Sequence, residues 1–319
     1  MATAEQIKAL IRSHFSNNVE LFYTVALQVA ANEALQGHGA LAQDIRGIVN
    51  KARDERKGEI VKFPNELRGL VLAENSDIPK SALVLPNDIL KRFDRIIHEY
   101  KQQVKLRNKG LNNRRKIMFI GLPGTGKTMS AKVLSHELQL PLYTVQVDKL
   151  VTKFMGETSA KLRQIFDLIQ HEQGVYLFDE FDAIGGERSL DNDVGEMRRV
   201  LNSFLQFIEH DNSSSLIIAA TNNPKLLDRA LFRRFDDVLY YELPSTAERK
   251  QLIGNITAVF LPKKLIWKNV LKNSDGLSQA EIVLACRDAI KQTILDDKET
   301  VSEDLICSAF KERRDSGLR

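Results

Sequence analysis

The sequence predicts an α/β protein: a five-stranded, mainly parallel sheet with flanking helices, preceded by a small helical domain and followed by a helical lid. Three observations point to it. Short apolar, β-branched runs at 117–120, 142–147, 175–178, 216–220 and 238–243 alternate with stretches of helical periodicity, as crossover-connected parallel strands require. A glycine-rich octet closes the first run and opens a helical pattern. The third run ends in two adjacent acids.

Composition sets the bounds. The chain has 319 residues, enough for two or three folding units, and 43% of them are hydrophobic against 28% charged, which excludes a disordered chain. Lys and Arg number 46 against 42 Asp and Glu, a balance of +4, too small for a basic coat on nucleic acid. Cys286 and Cys307 match no metal or redox spacing, and the six histidines show no paired ligand spacing. No run approaches the length of a membrane span, and residues 1–15 alternate charge with aliphatics where a signal peptide needs a continuous apolar core. A cytoplasmic protein with no membrane partner is the expectation.

Along the chain, Ile7, Leu10 and Ile11, then Val19, Phe22, Ala26 and Val29, then Leu41, Ile45, Ile48, Val49 and Ala52 recur at helical spacing. They predict three amphipathic helices in a domain over 1–56, with a break at Gly37-His38-Gly39. Residues 57–84 carry turn formers such as Pro64, Asn75 and Pro79 and read as a linker with room for one strand. The α/β domain is expected over 85–243. It opens with a helix through Ile89, Leu90, Phe93, Ile96, Ile97 and Tyr100 that runs into a basic stretch from Lys101 to Lys116. That stretch reads either as a solvated helix end and loop or as a contact for nucleic acid or nucleotide phosphate. After Pro244, residues 244–319 are helical by pattern, as in Ala280, Ile282, Val283, Ala285, Ala289 and Ile290, and form the lid.

The octet Gly121-Leu122-Pro123-Gly124-Thr125-Gly126-Lys127-Thr128 fits G-x-x-x-x-G-K-[ST] between a strand and a helix. Gly121, Pro123, Gly124, Thr125 and Gly126 shape a backbone cradle for a phosphate chain at a helix N-terminus. Lys127 would meet the β- and γ-phosphates and Thr128 a Mg²⁺ ion. At the end of Val175-Tyr176-Leu177-Phe178, Asp179 can orient the Mg²⁺ shell while Glu180 serves an attacking water as general base, because alternate strand residues point opposite ways. Asp182 reads as local loop chemistry.

With these residues the chain resembles the AAA ATPases, the protein-remodelling branch of the AAA+ superfamily of phosphate-loop NTPases, over roughly 85–310. The resemblance implies ATP as substrate with Mg²⁺, a hexameric ring and a protein substrate. It extends to Asn222, after the buried run 216–220, at the position where the family places the γ-phosphate sensor. The segment 227–236, ending Arg233-Arg234-Phe235-Asp236, is similar to the loop whose arginine reaches the nucleotide of a neighbouring subunit. The Pro-Gly that often precedes the last Arg-Phe-Asp is missing here, so Arg234 is the first choice and Arg233 the second. Lys153-Phe154-Met155-Gly156-Glu157 resembles the pore loop that grips polypeptide, and 185–196 a second, polar one. Gly276-Leu277-Ser278-Gln279-Ala280-Glu281 looks like the lid motif Gly-aromatic-Ser-Gly-Ala-Asp, with Leu277 for the aromatic and Gln279 for the second glycine. It implies that Gly276 and Ala280 pack near the nucleotide, and Ser278 with Glu281 also reads as a helix capping box.

The reading is a ring-forming ATPase that remodels, unfolds or threads protein, with the N-terminal helices choosing substrate or partner. Compact chains of this form look like bacterial proteins that work with a separately encoded peptidase or defence-system component. The alternatives are a nucleic-acid loader, which the pore loop and the near-neutral charge disfavour, and a nucleotide-dependent scaffold, which the presence of Glu180, Asn222 and Arg234 disfavours.

Overall fold

The computed structural model describes residues 4–15, 19–58, 67, 69–150, 157–184, 193–226, 229–261 and 266–317. By its internal contacts the chain divides into Met1–Lys62 and Phe63–Arg319. The first unit is three helices, α1 (Ala4–Phe15), α2 (Val19–Leu35) and α3 (Gly39–Gly58), with α2 packed on both others. Tyr23, Ala26 and Val49 form its centre. Its α2 ends in the paired bonds of a Schellman motif, His38 N–H to the Glu33 carbonyl at 3.0 Å and Gly37 N–H to the Ala34 carbonyl at 3.2 Å.

The second unit holds the sheet: β1 (Val71–Glu74), β2 (Lys116–Gly121), β3 (Leu142–Gln146), β4 (Val175–Asp179), β5 (Leu216–Thr221) and β6 (Asp237–Tyr241), in the order β1-β3-β4-β5-β2-β6. The five anticipated strands are all present and parallel to one another. A sixth corrects the expected count: β1, from the segment read as linker, pairs antiparallel with β3. It caps what would be an open edge, and Leu70 extends the join by accepting a hydrogen bond from Gln146 N–H at 2.8 Å. Only Val71 of its four residues is buried, so no alternation marks it in the sequence.

The helices of this region are α4 (Asn87–Lys101), α5 (Gln103–Arg107), α6 (Lys127–Leu138), α7 (Val147–Leu150), α8 (Glu157–His171), α9 (Asp193–His210) and α10 (Arg229–Phe232). β2 lies between β5 and β6, so the chain leaves it through α6 and crosses past β5 and β4 to enter β3. In open parallel sheets such a reversal leaves a crevice at the carboxyl ends of the strands. The registers Ile120↔Thr221 and Phe178↔Ala219 bring the ends of β2, β5 and β4, and with them Gly121, Asn222 and Asp179, to that one edge.

Four helices make the lid: α11 (Thr246–Thr257), α12 (Trp267–Asn273), α13 (Gln279–Leu295) and α14 (Glu303–Gly317). They enclose a core that includes Ile253, Val270, Ile282, Cys286 and Phe310. Capping boxes start α11 (Ser245 with Glu248) and α13 (Ser278 with Glu281). Leu277, in place of an aromatic, is buried in this core. Residues 83–85 connect the two parts of the unit. Leu83 and Leu85 pack into the core of the sheet and Val84, pointing the other way, into the core of the lid.

Among the described residues no helix is long and apolar enough to cross a membrane. Two of the seven cations in the basic stretch are paired within the fold: Arg114 with Glu99 at 2.6 Å, and Arg115 with the buried Asp211.

Candidate active site

A cleft of about 1030 Å³ lies between the carboxyl edge of the sheet and the lid. Its floor is the loop between β2 and α6. Pro123, Gly124, Thr125, Gly126, Lys127 and Thr128 all line it. Gly124 takes φ +78 and Gly126 φ +98, left-handed values that turn the chain sharply into α6. At Gly124 a side chain is also excluded sterically, since a Cβ would stand 2.6 Å from Ser278 Oγ of the lid. Thr125 Oγ1 donates to the Leu122 carbonyl at 2.7 Å and holds the loop closed. Gly121 lies beneath, packed against Tyr241 at the end of β2.

Three strand ends furnish the polar groups. Lys127, 6% exposed, donates to the carbonyls of Gly121 at 2.7 Å and Leu122 at 2.9 Å and to Asn222 Oδ1 at 2.7 Å. Its three protons are all engaged by neutral acceptors. Burial holds this ammonium below the ordinary lysine range, with Asp179 and Asp182 pulling it back up. Thr128 Oγ1 donates to Asp179 Oδ2 at 2.8 Å, while Asp179 Oδ1 accepts the Glu180 N–H at 2.9 Å. Both oxygens of Asp179 are therefore fixed. Glu180 has φ +51, rare for a residue with a side chain, and strain of this kind is concentrated at functional positions. Next to it Phe181 is fully buried, its ring 4.6 Å from that of Phe204 on α9, and this anchors the turn that presents Glu180 to the cleft. Asp182 ties β4 to β5, accepting from Thr221 Oγ1 at 3.0 Å and from Asn222 N–H at 3.1 Å, and so sets the position of Asn222.

Thr128 and Asp179 offer hard oxygen donors side by side, which suits Mg²⁺, an ion held in such sites by one or two protein groups with substrate phosphates completing its shell. No cluster of three His, Cys, Asp or Glu side chains that could hold a metal alone occurs among the described residues.

The roof comes from the lid and from residues 81–85. Ala280 N–H donates to the Gly124 carbonyl at 2.9 Å and its methyl group borders the cleft. Leu83, Val84, Leu252, Ile256 and Val283 make an apolar wall. Sequence reasoning missed this wall, although the run Leu83-Val84-Leu85 before Pro86 was visible. It also missed Gln279 and Arg287, both of which line the cleft.

Some candidates lie elsewhere. Gly276 is in an exposed turn before α13, outside the cleft, because the capping box at Ser278 turns the chain between it and the site. Arg233 and Arg234 are exposed beyond α10 and do not border the cleft of their own chain. Asp236 and Asp237, close in sequence, are not the partners of Arg234. Asp236 accepts the N–H groups of Arg115 and Lys116, Asp237 holds Arg92, and Arg234 reaches back to Glu209 of α9 at 2.8 Å. Lys153, Phe154, Met155 and Gly156 lie outside the described residues, as does most of 185–196.

A phosphate loop at the switch point of a parallel sheet, faced by an acid pair and roofed by a helical lid, defines a nucleoside-triphosphatase of the phosphate-loop class. The profile of the ATPase family associated with various cellular activities (AAA) matches residues 117–243. An AAA family ATPase of Sinorhizobium fredii is 32% identical over 318 residues, spanning 95% of this chain and 93% of that one. A protein of Methanothermobacter thermautotrophicus named as a 26S proteasome regulatory subunit homolog is 32% identical over 212 residues, 64% of this chain and 56% of its own length. A protein of Methanocaldococcus jannaschii with the same description is 28% identical over 302 residues, 82% of this chain and 80% of that one. The chain belongs to the AAA family, and it is an ATP-binding ATPase.

Proposed function

We propose that the cleft binds Mg-ATP and that hydrolysis there drives a ring of copies of this chain to unfold, thread or remodel a protein. The observation that carries the reading is the convergence of Lys127, Thr128, Asp179, Glu180 and Asn222 on one cleft that the lid also borders. On ATP binding, Lys127 exchanges neutral acceptors for the anionic β- and γ-phosphate oxygens, which adds attraction between opposite charges to the hydrogen bonds. Asn222, released from Lys127, is free to orient the attacking water. Glu180 takes the proton of that water as its oxygen bonds to the γ-phosphorus and the bond to the β-phosphate oxygen breaks. Mg²⁺, when bound at Thr128 and Asp179, supplies neutralisation of charge on the transferring phosphoryl group.

Arg234, with Arg233 as the second choice, serves the cleft of the neighbouring copy. Its position outside its own cleft, with Glu209 as a partner that solvent can replace, supports this assignment. The site is complete only between subunits, and a hexamer is the ring proposed. The pore loop through Lys153 and Phe154 would grip polypeptide along the ring axis, with Met155 and Gly156 completing the turn. The relatives described as proteasome regulatory subunit homologs support a protein substrate and a separately encoded peptidase partner, and a defence-system component is the other partner considered. Pairing of Arg114 and Arg115 with acids of the fold removes two of that stretch's cations from any contact with nucleic acid.

Steady-state hydrolysis, measured across enzyme concentrations with an unfolded polypeptide in one series and DNA in another, tests the reading. Stimulation by polypeptide, with activity per subunit rising as rings form, is expected. Stimulation by DNA alone would overturn it in favour of a loader.

A further inference from the structure

Arg234 does not border the cleft of its own chain, so the hydrogen-bond network of that cleft cannot hold it in place. Its position has to be set by the segment that carries it. That segment, 233–236, lies between the end of α10 at Phe232 and the start of β6 at Asp237 and belongs to neither element. Leu231 before it is fully buried and Phe235 within it is 8% exposed, which fixes the depth of the chain here. At the α10 end, Arg234 N–H donates to the Leu231 carbonyl at 3.0 Å and closes a turn.

At the β6 end the anchor is Asp236. Its Oδ2 accepts the N–H groups of both Arg115 and Lys116 at 2.9 Å, and its own N–H donates to the Lys116 carbonyl at 2.7 Å. Three hydrogen bonds thus join this one residue to the start of β2, two of them strengthened by the charge of the carboxylate. The regular ladder begins one residue later, where Asp237 faces Ile117. Since β2 lies between β5 and β6, the backbone beneath Arg234 is referenced to an interior strand of the sheet. The head of Arg234 is treated differently: its partner Glu209 belongs to an exposed pair, which holds weakly. We infer that Asp236 is the positioning residue of the arginine finger: it does not border the cleft, and it acts by fixing the backbone from which Arg234 reaches the neighbouring copy. The inference rests on the reading of Arg234 as a finger that acts between subunits. A misplacement of about 1 Å in a group that must meet the reacting phosphate can lower the rate about 10²-fold.

The test measures turnover at saturating ATP, and ATP affinity by calorimetry, on the assembled full chain and on Asp236→Ala, Asp236→Asn, Arg234→Ala and Lys127→Ala, alone and in mixtures. Asp236 is exposed, so truncation opens no cavity in the core. Asp236→Ala is expected to lower turnover about 10- to 100-fold with ATP affinity near native. Asp236→Asn keeps an oxygen able to accept both N–H groups and should stay within about threefold of the native rate. Mixed with Lys127→Ala subunits, Asp236→Ala should turn over faster than either alone, because the sound finger of one copy serves the sound cleft of the other. Adding Asp236→Ala to Arg234→Ala should lower turnover no further, since both act through one side chain. Native turnover by Asp236→Ala overturns the inference, as does an equal loss in Asp236→Asn. Loss of ATP affinity or of folding, without recovery in the mixture, also overturns it by making Asp236 a support of β2 and its own phosphate loop. If Lys127→Ala does not restore Arg234→Ala, the finger reading falls and this inference with it; restoration of Arg234→Ala but not of Asp236→Ala overturns this inference alone.

Discussion

The floor of the cleft is a network of side chains from three adjacent strand ends, each hydrogen-bonded to the next, whereas the roof meets the phosphate loop, among the described residues, through one backbone hydrogen bond and two small side chains. The floor is therefore arranged before any ligand arrives: Asp182 sets Asn222, Asn222 holds Lys127, and Asp179 is fixed at both oxygens. The roof makes fewer contacts with the loop. This contrast suits a motor in which chemistry stays with the sheet and motion with the lid, joined by the alternating side chains of 83–85.

The largest expected effect tests whether the floor is complete in one chain. Arg234→Ala should lower turnover by about 10³-fold or more, as arginine fingers do elsewhere, while leaving nucleotide affinity near native. Stability should change by less than about 1 kcal/mol, because the pair with Glu209 is exposed, at 44% and 47%. Mixing Arg234→Ala with Lys127→Ala subunits, each inactive alone, should restore hydrolysis, since the second lends its arginine to the cleft of the first. A mixture as inactive as its components would place Arg234 outside the reaction.

A smaller effect is expected where floor and roof touch. Gly124→Ala forces a Cβ to within 2.6 Å of Ser278 Oγ at φ +78, and the left-handed backbone alone costs about 1–2 kcal/mol. ATP affinity should fall roughly tenfold and the midpoint of thermal unfolding should drop, read by calorimetry on the same sample. A variant with native affinity would mean that the lid does not rest on the loop when nucleotide is bound.

The smallest effect belongs to the roof alone. Ser278→Ala removes the cap of α13 and should cost about 1 kcal/mol in chemical denaturation, with hydrogen exchange quickening in the first turn of α13 and not in β2, β4 or β5. Equal quickening in the strands would show that lid and sheet are one cooperative unit.

The same contrast explains what could be read from the sequence. The phosphate loop and the acid pair are contiguous, and their chemistry depends on local backbone geometry, so the octet and the strand end announce themselves. The strands that carry Asp179 and Asn222 are buried on both faces and read as continuous apolar runs. The roof depends on contacts between segments far apart: Gly124 with Ala280, Gln279 with Glu242, Val84 with the core of the lid. No periodicity encodes such pairings. For the same reason the partnership of Arg234 with Glu209 could not be read, and β1, with one buried residue in four, left only the room for a strand. The substitution at Gln279 was visible as a departure from a motif, but its contact with the Glu242 carbonyl was not.

The central claim is that Glu180, held at φ +51 beside a fixed Asp179, is the base of a preformed floor. Glu180→Gln separates binding from chemistry most directly. ATP affinity and single-turnover hydrolysis would be measured on the same assembled sample. The account predicts native affinity with hydrolysis slowed about 10²–10⁴-fold, the range for a lost general base. Hydrolysis at the native rate would contradict it and move the base to another residue.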